Sequence, residues 1–86
     1  MTLRVLCFFQ PGCMGCMEQE AINSEVFRTL QIPIEEIDAM KNREYISEYQ
    51  LKATPTILIL KDKKTVERFE GVVHAEQFEA ALKKYL

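Results

Sequence analysis

Apolar and polar positions alternate along this chain in two different rhythms, and the changes of rhythm mark its elements. Leu3 to Phe9 is a nearly continuous apolar run, rich in aliphatic and aromatic residues, that stops at Gln10-Pro11-Gly12; this predicts a strand ending in a turn. Apolar residues on both parities place that strand inside a sheet, covered on both faces. From Cys13 or Met14 to Leu30 the spacing becomes helical, with Met17, Ala21, Ile22, Val26 and Leu30 expected on the buried side. Ile32 to Ala39 predicts a second strand. Pro33 sits near its start, where a missing donor is tolerable, and Glu35 and Glu36 break the apolar run as residues at a sheet edge do.

Asn42 is the expected N-cap of a short helix reaching Tyr49, with Tyr45, Ile46 and Tyr49 turned to the core. Thr56 to Leu60 reads TILIL, the most strand-prone stretch of the chain, and Lys61-Asp62-Lys63-Lys64 makes a polar turn into Thr65 to Glu70. These two strands form a hairpin. After Gly71, an amphipathic helix from about His74 to Tyr85 is expected to bury Phe78, Ala81, Leu82 and Tyr85. The order is βαβαββα. A right-handed parallel βαβ unit joined to an antiparallel hairpin and a packing helix predicts an α/β sandwich on a four-stranded mixed sheet.

Composition narrows the classes of partner. With 86 residues, 48% hydrophobic and 28% charged, residues 1–86 are expected to form a single domain. Eleven basic and thirteen acidic side chains give a net charge of −2 without any block of one sign, so no footprint for nucleic acid is present. The apolar runs Val5 to Phe9 and Ile57 to Leu60 are far shorter than the ~20 residues of a membrane span. The N-terminal run is too short for a secretory signal and lacks a small-residue cleavage site. An odd set of three cysteines argues against a disulfide scaffold and for thiols in a reducing compartment, so the expected location is cytoplasmic.

The chemistry concentrates in Cys13-Met14-Gly15-Cys16, at the junction of the first strand and the first helix. A cysteine at a helix start meets unpaired backbone amides and the positive end of the helix dipole, which favour thiolate over thiol. That thiolate can attack a disulfide. A second cysteine about one turn later can then resolve the mixed disulfide and release the reduced partner. The same pair together with Cys7 also offers a different chemistry, a site for zinc, copper or an iron–sulfur cluster. A structural zinc site wants about four ligands, and the sequence supplies one pair plus a strand cysteine.

Three segments, VLCFFQPGCMGC, NREYISEYQLKATPTILIL and FEGVV, resemble the thioredoxin family. The resemblance runs over nearly the whole chain, in a minimal form without the strand and helix that commonly precede the motif strand. It implies a thioredoxin fold with sheet order 2-1-3-4 and three helices packed on the sheet faces. It further implies Cys13 as nucleophile, Cys16 as resolving thiol, a cis bond before Pro55, and client docking across Gly12, Met14, Thr54, Pro55 and Val72. In that family the backbone of the residue matching Thr54 binds an extended stretch of the client. The implied partners are disulfide-containing proteins and a thioredoxin-reductase-type electron donor, with no cofactor, no metal and a monomeric state.

The chain also departs from that pattern. It has no Trp, and Met14-Gly15 replaces the usual dipeptide between the cysteines. That dipeptide tunes potentials that span about 150 mV across the family, or about 7 kcal/mol for two electrons. Where the family commonly carries a buried Asp, six residues before the first cysteine, this chain has Cys7, and Glu36 takes the place of the neighbouring Lys. Two readings of Glu36 stand: a partly buried base that deprotonates Cys16, or a solvated edge-strand carboxylate. Cys7 reads as an inert core thiol, His74 as a cap or surface residue, and the Lys61 to Lys64 turn as a solvated hairpin tip. A glutaredoxin-like role is the nearest enzymatic alternative, suggested by the short chain and by Thr54 before the proline. Against it, Gly71-Val72-Val73 lacks the Gly-Gly and acidic residues with which glutaredoxins hold glutathione.

Overall fold

A computed structural model describes residues 2–86. The elements follow in the order β1 (Leu3–Phe9), α1 (Met14–Leu30), β2 (Ile34–Asp38), α2 (Glu44–Glu48), β3 (Thr56–Lys61), β4 (Lys64–Glu70) and α3 (Ala75–Lys83). They build one four-stranded sheet in the order β2-β1-β3-β4. β1 runs parallel to β2 and antiparallel to β3, and β3 pairs antiparallel with β4. The two central strands are the two most apolar ones, because only they are covered on both faces.

On one face, Val5 and Cys7 of β1 and Ile57 and Ile59 of β3 pack against Val26 of α1 and Phe78, Ala81 and Leu82 of α3. On the other, Leu6, Phe8, Leu58 and Leu60 meet Tyr45, Tyr49 and Leu51 in and after α2. Phe8, Tyr45 and Tyr49 form an aromatic cluster with ring centroids 5.6 to 5.8 Å apart. The alternation of side chains along β1 and β3 thus divides a single apolar run between two cores. The hairpin turns at Asp62 and Lys63, both with positive φ, 51° and 74°. Such a two-residue connection matches the twist of the strands it joins.

Three details differ from the pattern of apolar residues. Asn42 does not cap α2: its side-chain amide donates to the Asp38 carbonyl, and Arg43 stands at the cap position without a side-chain bond. α3 runs Ala75–Lys83, shorter than the stretch from His74 to Tyr85, with exposed His74 at its N-cap position as expected, though without a side-chain cap bond. The third difference is the largest. Met17 is 71% exposed and Ala21 is exposed as well, whereas Ile22, Val26 and Leu30 pack against the core as expected, and Cys16, Gln19 and Asn23 are buried with them. Gln19 and Asn23 turn inward beside these apolar residues because they find hydrogen-bond partners inside, which removes the cost of burying their amides.

Candidate active site

β1 ends at Phe9, and Gln10-Pro11-Gly12 carries the chain over the top of the sheet to α1. Gly12 has φ of 78°, a left-handed conformation that glycine adopts without a Cβ penalty. The turn delivers Cys13 to the N-cap of α1, where its extended backbone ends and its sulfur accepts a hydrogen bond from the Cys16 N–H at 3.1 Å. Cys13 and Cys16 are joined as a disulfide, with Cα atoms 5.2 Å apart. The seventeen-residue helix behind the pair supplies the dipole that favours negative charge on the Cys13 sulfur once the bond opens.

The loop before β3 closes on this sulfur from the other side. The Thr54–Pro55 peptide bond is cis, and the Thr54 hydroxyl donates to Cys13 Sγ at 3.5 Å. The Thr54 carbonyl oxygen lies 3.5 Å from the same sulfur, where a reduced thiol would donate to it. The Gly71 N–H donates to the Pro55 carbonyl at 2.8 Å, tying the loop to the segment that leads into α3. Gly15 makes the approach possible: a Cβ there would stand 3.3 Å from both Pro55 Cδ and Val72 Cγ2. The residue between the cysteines therefore sets how closely the helix start meets the proline loop. Its role is not visible in the sequence, where it is one of several small turn residues.

Met14 is 82% exposed beside the disulfide, Gly12 is exposed, and Thr54 and Val72 are half-buried around it. The fifth expected docking residue is different. Pro55 is fully buried, so its ring positions Thr54 and packs beneath Gly15 instead of offering surface to a client.

Beneath the disulfide a cavity of about 220 Å³ is lined by Cys7, Cys13, Cys16, Met17, Glu20 and Glu36, among others. Cys7 is paired in register with Glu36 across β1 and β2, so the two side chains share the α1 side of the sheet. Glu36 is exposed at the edge strand, not partly buried. It nonetheless faces the same cavity as Cys16. Cys7, 3% exposed, is the one free cysteine, and burial pushes its thiol from 9.0 up to about 11, with the Glu36 charge adding to the rise and a hydrogen bond with Asn23 opposing it.

This thiol stays protonated in the fold after it has ionised in the unfolded chain. The stability it supports is complete below pH 9 and drains away as pH rises towards about 11, by about 2 to 3 kcal/mol. Cys7→Ala is expected to flatten that part of the alkaline stability profile. Urea titrations of both proteins between pH 8 and 11 check it, and equal slopes would contradict it.

Two buried amides, Gln19 and Asn23, complete the site and were assigned to no role by the sequence pattern. The Gln19 side chain pairs with both backbone groups of Val73, accepting from its N–H at 2.9 Å and donating to its carbonyl at 3.1 Å. It also donates to Asn23 Oδ1 at 3.1 Å, and Asn23 Nδ2 donates to Glu36 Oε2 at 3.1 Å. Among the described residues no group of three or more His, Cys, Asp or Glu side chains is placed to hold a metal ion. Among the described residues no helix is long and apolar enough to cross a membrane.

A cysteine pair able to close on itself at a helix N-terminus, against a proline loop, places the molecule among proteins whose dithiol opens and closes. Residues 2–84 match the thioredoxin family model, and the chain belongs to the thioredoxin family. It is 36% identical over 72 residues to thioredoxin Y2, chloroplastic, of Arabidopsis thaliana, covering 81% of this chain and 43% of the relative. With thioredoxin 2 of Plasmodium falciparum it shares 30% over 87 residues, 99% of this chain and 55% of that one. The chain thus spans about half the length of these curated relatives. A solved structure of thioredoxin-2, described as a component of malaria parasite protein secretion machinery, superposes with a TM-score of 0.93 at 28% identity, covering 98% of this chain and 84% of that one. The sheet order 2-1-3-4 and the helices on both faces are those of that fold.

Proposed function

We propose that this protein is a thiol–disulfide oxidoreductase that reduces disulfide bonds in client proteins through Cys13 and Cys16. The observation that carries this reading is the Cys13 sulfur, placed at the N-cap of α1, where it accepts the Cys16 N–H and the Thr54 hydroxyl. In the reduced state these donors and the helix dipole stabilise a thiolate. That thiolate attacks one sulfur of a client disulfide, the client's other sulfur leaves as a thiolate that takes a proton from solvent, and a Cys13–client disulfide remains. Cys16 then attacks Cys13 Sγ, the client is released reduced, and the Cys13–Cys16 disulfide forms. A donor of the thioredoxin-reductase type resets the pair.

Client docking uses the shallow rim of Gly12, Met14, Thr54 and Val72. Met14 projects a flexible, polarisable thioether next to the reacting sulfur, which suits clients of varied shape. A reducing compartment such as the cytoplasm fits one buried free thiol beside one redox pair. The test is insulin-disulfide reduction with dithiothreitol as electron source, followed by turnover with NADPH and a flavin-dependent thioredoxin reductase or with glutathione. Acceleration of insulin reduction together with turnover by the reductase is the expected result. Turnover by glutathione alone would assign the glutaredoxin-like role, and no acceleration would overturn the reductase reading.

A further inference from the structure

Resolution of the mixed disulfide requires Cys16 to lose its proton first, because the thiolate is the attacking species. Cys16 is 8% exposed. It lines the cavity of about 220 Å³ under the disulfide, which is large enough for water and also lined by Glu20 and Glu36. The groups facing Glu36 there are Cys7 from β1, and Cys16 and Glu20 from α1 with Cys13 at its cap; among the described lining residues no cation is present. Cys7 is no proton acceptor at neutral pH, since burial holds it as a thiol.

The two carboxylates differ in how they are held. Glu20, exposed, rides one turn beyond Cys16 on α1. Glu36 is the end of a directed chain of amides. Val73 presents an N–H and a carbonyl to Gln19, which fixes the orientation of the Gln19 amide. Gln19 Nε2 then donates to Asn23 Oδ1, and this leaves Asn23 Nδ2 pointing at Glu36 Oε2. Flipping either amide would set oxygen against oxygen. The chain therefore grips one carboxylate oxygen as an acceptor and leaves Oε1 free to take a proton. Gln19 is fully buried and Asn23 is 3% exposed, so both amides depend on this chain to be satisfied, and among the described residues no buried side-chain nitrogen or oxygen lacks a partner.

We propose that Glu36 accepts the Cys16 proton during resolution, and that Gln19 and Asn23 are positioning residues that hold it at the cavity and tie it to the Val73 loop. This rests on the thiol–disulfide reading above. In the forward step the Cys16 S–H proton passes to Glu36, directly or through one cavity water. The Cys16 electron pair forms the bond to Cys13 Sγ, and the Cys13–client S–S bond breaks. The client sulfur leaves as thiolate and takes a proton from Glu36 or solvent, so charge and electrons balance. Reduction of the pair runs the same path backwards. Because Val73 adjoins the docking residue Val72, a client that moves this loop pulls on the same amide chain.

The experiment isolates the resolving step. Reduced protein is mixed at pH 4 with 2,2′-dithiodipyridine, which attaches a pyridylthio group to Cys13, and the sample is then jumped to pH values between 5 and 9. Release of thiopyridone after the jump, at a rate independent of reagent concentration, reports attack by Cys16. Glu36→Gln is expected to slow this release about 10- to 100-fold at pH 7 and to make it rise about tenfold per pH unit, as hydroxide replaces the lost base. Asn23→Ala is expected to move the pH profile part of the way, with the modification of Cys13 at pH 4 unchanged. Glu20→Gln is expected to follow the parent protein. The proposal is overturned if Glu36→Gln and the parent agree within twofold at every pH, if Glu20→Gln is slowed as much, or if the parent resolves fully before the jump. Failure of Cys13 to react at all would instead sink the oxidoreductase reading.

Discussion

Cys13→Ser is expected to lower insulin-disulfide reduction by about a thousandfold or more, because a neutral hydroxyl replaces the sulfur that the helix start stabilises as an anion. The cap geometry survives the change, since a serine oxygen accepts the Cys16 N–H as readily as sulfur does. Loss of activity with an unchanged far-ultraviolet circular dichroism spectrum is therefore the expected pair of results. The companion variant Cys16→Ser separates the two half-reactions. It keeps the attacking sulfur and removes the resolving one, so clients accumulate as mixed disulfides on Cys13, visible as adducts by mass spectrometry without reductant. Equal residual activity in the two variants would contradict the assignment of attack to Cys13 and resolution to Cys16.

The second large effect lies away from the sulfurs. Gln19→Ala is expected to destabilise the fold by about 3 to 5 kcal/mol, since it leaves the Val73 N–H and carbonyl and the Asn23 carbonyl oxygen buried without their partner. Gln19→Leu fills the space and still strands those groups, so it is expected to recover only a minor part of the loss. Urea unfolding curves of the three proteins measure this. A loss under 1 kcal/mol in both variants would mean that water satisfies the loop and that the amide chain contributes little. In a domain of this size such a loss is a large fraction of the whole stability.

These two residues also divide what was legible in the chain from what was not. The cysteine pair announced itself by spacing and by its place after an apolar strand and a Pro-Gly turn. The strand bounds Leu3–Phe9, the helix reaching Leu30 and the hairpin turn at Asp62 and Lys63 followed from periodicity and turn chemistry. Gln19 and Asn23 gave no such signal. A polar side chain on an amphipathic helix is assigned to solvent unless its partners are known, and theirs come from Val73 and Glu36, distant along the chain.

The same reasoning explains the misplacement of Met17 on α1 and the place of Glu36. Met17 looked like a core residue because it is apolar, yet it lies beside the disulfide at 71% exposure. Glu36 looked either partly buried or merely solvated. It is exposed and also tethered to the cavity below Cys16, a combination that depends on the register Cys7 to Glu36 across two strands.

By itself the sequence determined the element order, the two central strands and the redox pair, because each depends on local spacing and on runs of apolar residues that water excludes. Only the tertiary structure decided that Gln19 and Asn23 turn inward on α1, how closely Gly15 meets Pro55, and how Glu36 is tethered at the cavity that Cys16 also lines. Those outcomes depend on hydrogen bonds and contacts between residues far apart in the chain, whose partners are chosen only when the sheet and its helices come together.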